Sequence, residues 1–468
     1  MDFGSISHVF RRYDIRGLYG SELTPEFAFH LGETFGVFLK KSGNVCVGRD
    51  VRRGAQSLED SFVDGLQSTG CNVTTIGQVP IGIANFAIWR GTFKAGVYIT
   101  ASHNPPEYNG FRFRHTDGTG FVEENNIIKN IFFDSRQFSN TVTKPGKLFQ
   151  KKTDEIIKSY WSLISTTHQN LGRLKIGVDA GNGGASGIAG DILEKAGYQI
   201  IRINDSPDEN YPNRSPHNKD SEIGELKSMV VREGCDLGVA FDGDADRAVF
   251  VDDQGRTCKT EKILITLAKQ IQTRREKKVV VSIPCSTILE NELEPLGIRV
   301  IRSKVGDVYV SEAMKSNDAM LGGEVSSHIF VPDFYFFDDS FLTALKLAEA
   351  LLKSGSRLSS LMDGIQDYPY EQIFVPCPDD VKFEIVNLIA EQFSHAKAEI
   401  SRLDGIRVLD SSGWVLVRGS NTEPLIKVIV ESKNIESFRA KKEEALSALR
   451  TIMESFGLSL RLVEAKNA

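Results

Sequence analysis

Cysteine is scarce in this chain: six residues among 468, at positions 46, 71, 235, 258, 285 and 377. They lie far apart and several fall in apolar, strand-like runs, so buried thiols in a reducing cytosol are expected rather than a disulfide framework. Long apolar runs are also missing; none approaches the length needed to cross a bilayer. The start, Met1-Asp2-Phe3-Gly4-Ser5, has no basic stretch leading into an apolar one, so no secretory signal is expected. Positive charge is in deficit, with 56 Lys and Arg against 62 Asp and Glu and a net charge of -6. That balance argues against non-specific nucleic-acid binding, which needs clustered positive potential. The expected setting is cytoplasmic, with neither nucleic acid nor membrane as partner.

What remains is an ordinary soluble composition, 41% hydrophobic and 25% charged, over a length that implies several domains. One pattern recurs three times. Val45-Cys46-Val47-Gly48 leads into a helical stretch ending at Gly70, then Val73-Thr74-Thr75-Ile76. Ile176-Gly177-Val178-Asp179 leads through Ala189 to Lys195 and Gly197, then Ile200-Ile201-Arg202-Ile203. Val279-Val280-Val281-Ser282 leads through Ile288 to Leu293 and Gly297, then Val300-Ile301. Each copy reads strand, helix, glycine stop, strand, the signature of a βαβ unit with a right-handed crossover.

Three such units predict three similar α/β domains rather than one large sheet. Turn signals at Lys144-Pro145-Gly146, Asp253-Gln254-Gly255 and Asp367-Tyr368-Pro369 place the domains at 1–146, 147–254, 255–368 and 369–468. The last differs. Trp414 to Val417 and Leu425 to Val430 read as two strands of a hairpin, flanked by helices over 381–397 and 435–453, a smaller α+β domain.

Four polar loops follow strand-like runs, one per domain: 100–106, 242–247, 323–328 and 418–424. Loops at strand ends of open α/β sheets face the crevice where ligands bind, so four of them can meet in one central cleft. Asp242-Gly243-Asp244-Ala245-Asp246-Arg247 sets carboxylates at every second position beside a glycine. Such an arrangement converges on one oxygen-loving cation, and Mg2+ fits best because it takes few protein carboxylates and favours a phosphate oxygen as a further ligand. The alternative is a solvated acidic turn, although apolar strands on both sides disfavour it. Downstream spacing rules out an EF-hand.

Ser102, held in a loop that Pro105 and Pro106 keep from becoming helix, is a nucleophile candidate only in combination, since most loop serines are caps or turns. His103 is a candidate base, although sequence neighbours usually point apart. Arg418-Gly419-Ser420-Asn421-Thr422-Glu423-Pro424 offers a guanidinium, hydroxyls, an amide and a glycine turn, the inventory for gripping a phosphate dianion or for an ordinary hairpin turn. Gly323 to His328 supplies acceptor, donor and titratable groups suited to sugar hydroxyls.

Taken together, these loops resemble the α-D-phosphohexomutase family, most closely its phosphomannomutase/phosphoglucomutase branch. The resemblance runs from Tyr13-Asp14-Ile15-Arg16-Gly17, through Thr100-Ala101-Ser102-His103-Asn104-Pro105 and Asp242 to Arg247, to the 323–328 and 418–424 loops, in the family's order. It implies four domains around a cleft and exchange of phosphate between the 6- and 1-hydroxyls of a hexose. Ser102 would carry the phosphoryl group, with a hexose 1,6-bisphosphate as intermediate and activator. Ser102, Asp242, Asp244 and Asp246 would hold Mg2+, and Arg247 would stabilise the group in transfer. Arg418, Ser420, Asn421 and Thr422 would anchor the non-reacting phosphate. Glu324 and Ser326 would hold sugar hydroxyls, and Tyr13 and Arg16 would help close the site. The partners implied are sugar phosphates, for a monomer or homodimer.

Two positions depart from the family pattern. Arg112 stands where most relatives have lysine, and a guanidinium is a poor proton shuttle. His328 then becomes the first candidate for the base, because imidazole titrates near neutrality. Asp307 follows Lys304-Val305-Gly306 where some relatives have histidine, leaving Lys304 as the positive contact. Two competing functions stay open, a phosphoglucosamine mutase and an inactive sugar-phosphate binding protein.

Overall fold

A computed structural model describes residues 4–134, 144–168, 172–271, 273–393, 398–420 and 423–463. Four sheets of six, four, four and five strands follow one another along the chain. The three repeats each form a parallel pair: Asn44–Arg49 with Asn72–Gln78, Lys175–Asp179 with Gln199–Ile203, and Glu276–Ser282 with Arg299–Ser303. The first three sheets carry an antiparallel edge, and the fourth is antiparallel throughout. The chain is thus three α/β units followed by a smaller α+β unit.

Period-two alternation builds the layers. In the strand Ala95–Ile99, Ala95, Val97 and Ile99 face helices Pro25–Phe38 and Ala55–Ser68, while Tyr98 faces the other way. Tyr98 enters an apolar core that runs on through Ile176, Val178 and Phe241 of the second unit to Val279, Leu345 and Leu358 of the third. The first three units therefore share one interior. The fourth has its own, built on Val417, Val428, Ile385 and Leu449. A small cluster of Ile283, Trp414, Leu416 and Ile429 joins it to the third unit.

Two expected boundaries shift. Leu148–Gln150 pairs with the strand at 72–78, so the segment at Pro145-Gly146 leads into the first sheet instead of out of it. Val251 bridges Thr257, so the turn at Gly255 is a hairpin within the second unit. A turn signal does not say whether the chain returns to the same sheet. The six cysteines are free and buried. Among the described residues no helix is long and apolar enough to cross a membrane.

Candidate active site

Ser102 sits just beyond the end of Ala95–Ile99, 1% exposed, with a left-handed φ of 51°. Non-glycine residues take that conformation at a cost of about 1–2 kcal/mol, and the cost tends to gather at functional loops. Ala245 at 63° and Ser327 at 70° repeat the device in the acidic loop and in the 323–328 loop. The turn at Ser102 aims its Oγ between Asp242 Oδ2 and His103 Nδ1, each at 3.2 Å. His103 thus lies beside the hydroxyl after all. Burial, reinforced by Arg247 and Arg16, holds its imidazole well below the usual range and therefore neutral.

The Ser102 loop is gripped from behind by residues that sequence reasoning passed over. Arg52 bonds the Ser102 carbonyl and reaches those of Asn104 at 2.6 Å, Pro105 at 2.7 Å and Tyr108 at 3.1 Å. Asp50 Oδ2 stands 3.2 Å from Arg52 Nε and 2.6 Å from the Thr100 hydroxyl, which also lies 3.0 Å from Asp244 Oδ2. Arg16 adds bonds to the Ala101 carbonyl at 3.1 Å and Asn104 Oδ1 at 2.9 Å. A signal for Asp50 and Arg52 was present: they follow the strand Asn44–Arg49 at the same sheet edge as Ser102.

Asp242, Asp244 and Asp246 bring a carboxylate oxygen each within 4.8 Å of one another, all buried. Burial and then the neighbouring acids raise Asp242, and the same pair of causes pushes Asp244 up to about 7. Burial also works against charge on Asp246, but His328, Arg112 and Arg247 outweigh it and hold that carboxyl low. Asp244 Oδ1 and Asp246 Oδ1 have no hydrogen-bond partner. Buried acceptors left open in this way, on an all-oxygen donor set, fit a hard divalent cation. The loop is pinned on two sides: Ile81 N–H donates to the Asp244 carbonyl at 3.0 Å and the Ser340 hydroxyl to that of Ala245 at 2.7 Å.

Gly243 lets the two loops touch. A Cβ there would run into the Ser102 carbonyl oxygen.

Around this centre the remaining candidates fall into a chain of ion pairs. Arg112 bonds Asp246 Oδ2 at 2.9 Å and also Asp307, so the two departures from the family pattern are partners in space. Arg112 is held well above its ordinary range by Asp307 and Asp246 despite burial, and Asp307 is held low by Arg112. His328 places Nδ1 2.6 Å from Asp338 Oδ2 and Nε2 3.0 Å from Arg247 Nε. That geometry fixes the neutral tautomer with the proton on Nδ1. The acidic surroundings pull the other way: although burial opposes charge, Asp246 and Asp338 push His328 up to about 9. In the neutral form Nδ1–H donates to Asp338 and Nε2 accepts from Arg247, so this candidate base is buried and oriented by two partners.

The sugar and phosphate candidates are more spread out. Glu324 is buried, accepts the Gly306 N–H at 2.9 Å, and is raised chiefly by burial. Ser326 is half-buried. Lys304 Nζ lies 5.5 Å from the centre of the Tyr309 ring, against which Tyr13 packs edge-on at 6.4 Å. Arg418 pairs with Asp404 at 3.0 Å, and the same Asp404 oxygen accepts the Val305 N–H at 3.1 Å. The Ser420 hydroxyl accepts from Glu423 N–H at 3.2 Å. Asn421 and Thr422 lie outside the described residues.

Family models match most of the chain. Those described as phosphoglucomutase/phosphomannomutase alpha/beta/alpha domains I, II and III match residues 7–138, 154–255 and 259–368, and that of the C-terminal domain matches 375–447. The chain belongs to the α-D-phosphohexomutase family. Among phosphohexomutases it is 34% identical to a probable phosphoglucosamine mutase of Methanopyrus kandleri, over 94% of this chain and 97% of that one. It is 33% identical to a phosphoglucomutase/phosphomannomutase of Thermococcus kodakarensis, over 95% and 99%. A crystal structure of a phosphoglucomutase/phosphomannomutase family protein from Burkholderia thailandensis superposes with a TM-score of 0.86 at 25% identity, covering 97% and 99%.

Proposed function

We propose that this phosphohexomutase interconverts hexose 6-phosphate and hexose 1-phosphate through a phosphoserine at Ser102 and a bound hexose 1,6-bisphosphate, with mannose or glucose phosphate as substrate. The observation that carries the reading is Ser102 Oγ lying 3.2 Å from Asp242 Oδ2, against a triad of buried carboxylates with open oxygens. In the first half-reaction the Ser102 Oγ–P bond breaks as a bond forms from phosphorus to the free sugar hydroxyl oxygen, and the proton that hydroxyl gives up ends on Ser102 Oγ. The second half-reaction returns the other phosphate to Oγ and the proton to the sugar, so atoms and charge balance. The neutral His103 ring, 3.2 Å from Oγ, is placed to hold a proton at that oxygen while serine is the leaving group.

Asp242, Asp244 and Asp246 would hold Mg2+, which when bound offsets negative charge on the phosphoryl group. Arg247 and Arg112, each beside Asp246, supply fixed positive charge to the same region. Arg418 would take the remote phosphate, and Tyr13 and Arg16 would line the entrance. Glu324, whose burial favours the neutral carboxyl, suits sugar hydroxyls as donor or acceptor. Holding both ends of the substrate orients the acceptor hydroxyl, and orientation of this kind is worth about 7–11 kcal/mol of barrier.

A second reading, glucosamine phosphate as substrate, is favoured by the name of the Methanopyrus relative. A coupled assay on glucose 1-phosphate, mannose 1-phosphate and glucosamine 6-phosphate, primed with sugar bisphosphate, separates the two by relative kcat/KM. Turnover of none of the three, with no phosphate on Ser102 by intact mass and peptide mapping, would overturn the reading.

A further inference from the structure

Arg114 is a buried cation with open bonds. It lies two residues beyond Arg112 on the strand Tyr108–Arg114, so both side chains leave the same face of the sheet. It is 2% exposed, and its Nε and Nη2 have no partner. The nearest acid is Asp307, whose Oδ2 is 4.0 Å from Nη1, too far for a hydrogen bond. Burial and the Arg112 charge push Arg114 down to about 10, while Asp307 and Asp338 favour its charge. Arg112, in contrast, holds Asp246 and Asp307 together.

We propose that Asp307 is a positioning carboxylate shared by two arginines: Arg112 holds it in the empty site and releases it to bind substrate phosphate, and Arg114 then receives it. The inference rests on the phosphohexomutase reading of the cleft. A phosphate dianion competes with a carboxylate for the same guanidinium fork. Freed from Arg112, a buried carboxylate would be left unpaired, which strongly opposes binding unless a second donor waits nearby. Arg114 offers a guanidinium whose Nη1 lies 4.0 Å from Asp307 Oδ2 and whose Nε and Nη2 have no partner. Asp307 begins the helix Asp307–Asn317, so its backbone is fixed and a side-chain swing of about 1 Å closes that gap to hydrogen-bond length.

The experiment is calorimetric titration of glucose 1-phosphate into full-length wild type, Arg114→Met, Arg114→Lys, Asp307→Asn and the Arg114→Met/Asp307→Asn pair, with steady-state kinetics alongside. Arg114→Met should bind about tenfold more weakly, with KM rising more than kcat falls. Arg114→Lys should recover most of that affinity. Asp307→Asn should bind at least as tightly as wild type, because Arg112 no longer has to be freed, and adding Arg114→Met to it should change nothing further. A purely structural Arg114 would lower the melting temperature and leave KM alone, or cost the same in both backgrounds, and either result overturns the inference. So does a tenfold loss of affinity in Asp307→Asn, which stands even if Arg114→Met fails to fold. Titration reads binding whether or not the sugar phosphate is turned over, so an inactive wild type would count against the proposed reaction and not against the carboxylate exchange.

Discussion

Replacing Gly243 by alanine tests the contact between the serine loop and the acidic loop. Its backbone is not left-handed, so alanine is conformationally acceptable there, and the effect should come from the added methyl alone. That carbon would overlap the Ser102 carbonyl oxygen and lie 3.1 Å from Pro216 Cβ. An ordinary carbon–oxygen contact is about 3.3 Å, so the serine backbone must retreat on the order of 0.9 Å. It cannot do so freely, because Arg52 holds the same oxygen. A displacement near 1 Å between reacting groups costs about 100-fold in rate, close to 2.7 kcal/mol of barrier, while overpacking costs about 1–3 kcal/mol of stability. Steady-state kcat/KM on the best hexose phosphate, measured well below the melting temperature, separates the two effects. A Gly243→Ala enzyme within twofold of wild type would refute the claim that this contact sets the nucleophile's position.

Other expectations follow from the same geometry. Ser102→Ala should abolish turnover, a loss of at least about 10⁴-fold, yet bind glucose 1-phosphate measurably; normal activity would remove Ser102 from the mechanism. Mg2+ at about 100 times its Kd should stabilise the fold by about 2.7 kcal/mol through the acidic triad, read as a rise in melting temperature that Asp244→Asn diminishes and excess metal does not restore. Full rescue of Asp244→Asn activity by added Mg2+ would count against a direct role for that carboxylate. Glu59, whose Oε1 is buried without a partner, is pushed up to about 7 by burial even though Arg49 lies 2.8 Å away. Its folded pKa is raised, so the folded state holds the proton more tightly and this contribution is lost as pH rises from about 4.5 to 7. Urea unfolding at pH 5, 6 and 7.5 should show wild type losing stability relative to Glu59→Gln across that window, and parallel curves would refute the assignment.

Much of the site was legible because its loops follow strands. The runs before Ser102 and Asp242 are continuously apolar and then break into polar residues, which marks a sheet edge without any knowledge of partners. The Asp242 to Asp246 spacing shows its convergence within five residues. Asp50 and Arg52 obeyed the same rule and were passed over because an Asp-Val-Arg-Arg turn looks like any surface turn until Arg52 is seen holding four carbonyls. Arg114, Asp307 and Asp338 carry no local signal. Their contacts come from facing one another across the first and third units, and the partners of His328 were hidden in the same way: Asp338 lies ten residues on, and Arg247 meets it only through a bridge between the second and third units. Leu148–Gln150 was hidden by its brevity, three exposed residues whose contribution is main-chain pairing alone.

The shared interior of the first three units bears on how a sugar enters. Welded through one continuous apolar centre, those units have little freedom to part, whereas the fourth meets the third through a small cluster to which the third contributes Ile283 and Val305. Any gap wide enough for a hexose is therefore expected at that seam. The Arg418–Asp404–Val305 contact straddles it. An anion arriving at Arg418 would compete with Asp404, the acid that accepts the Val305 N–H across the seam, so what occupies Arg418 would bear on how firmly the seam is closed.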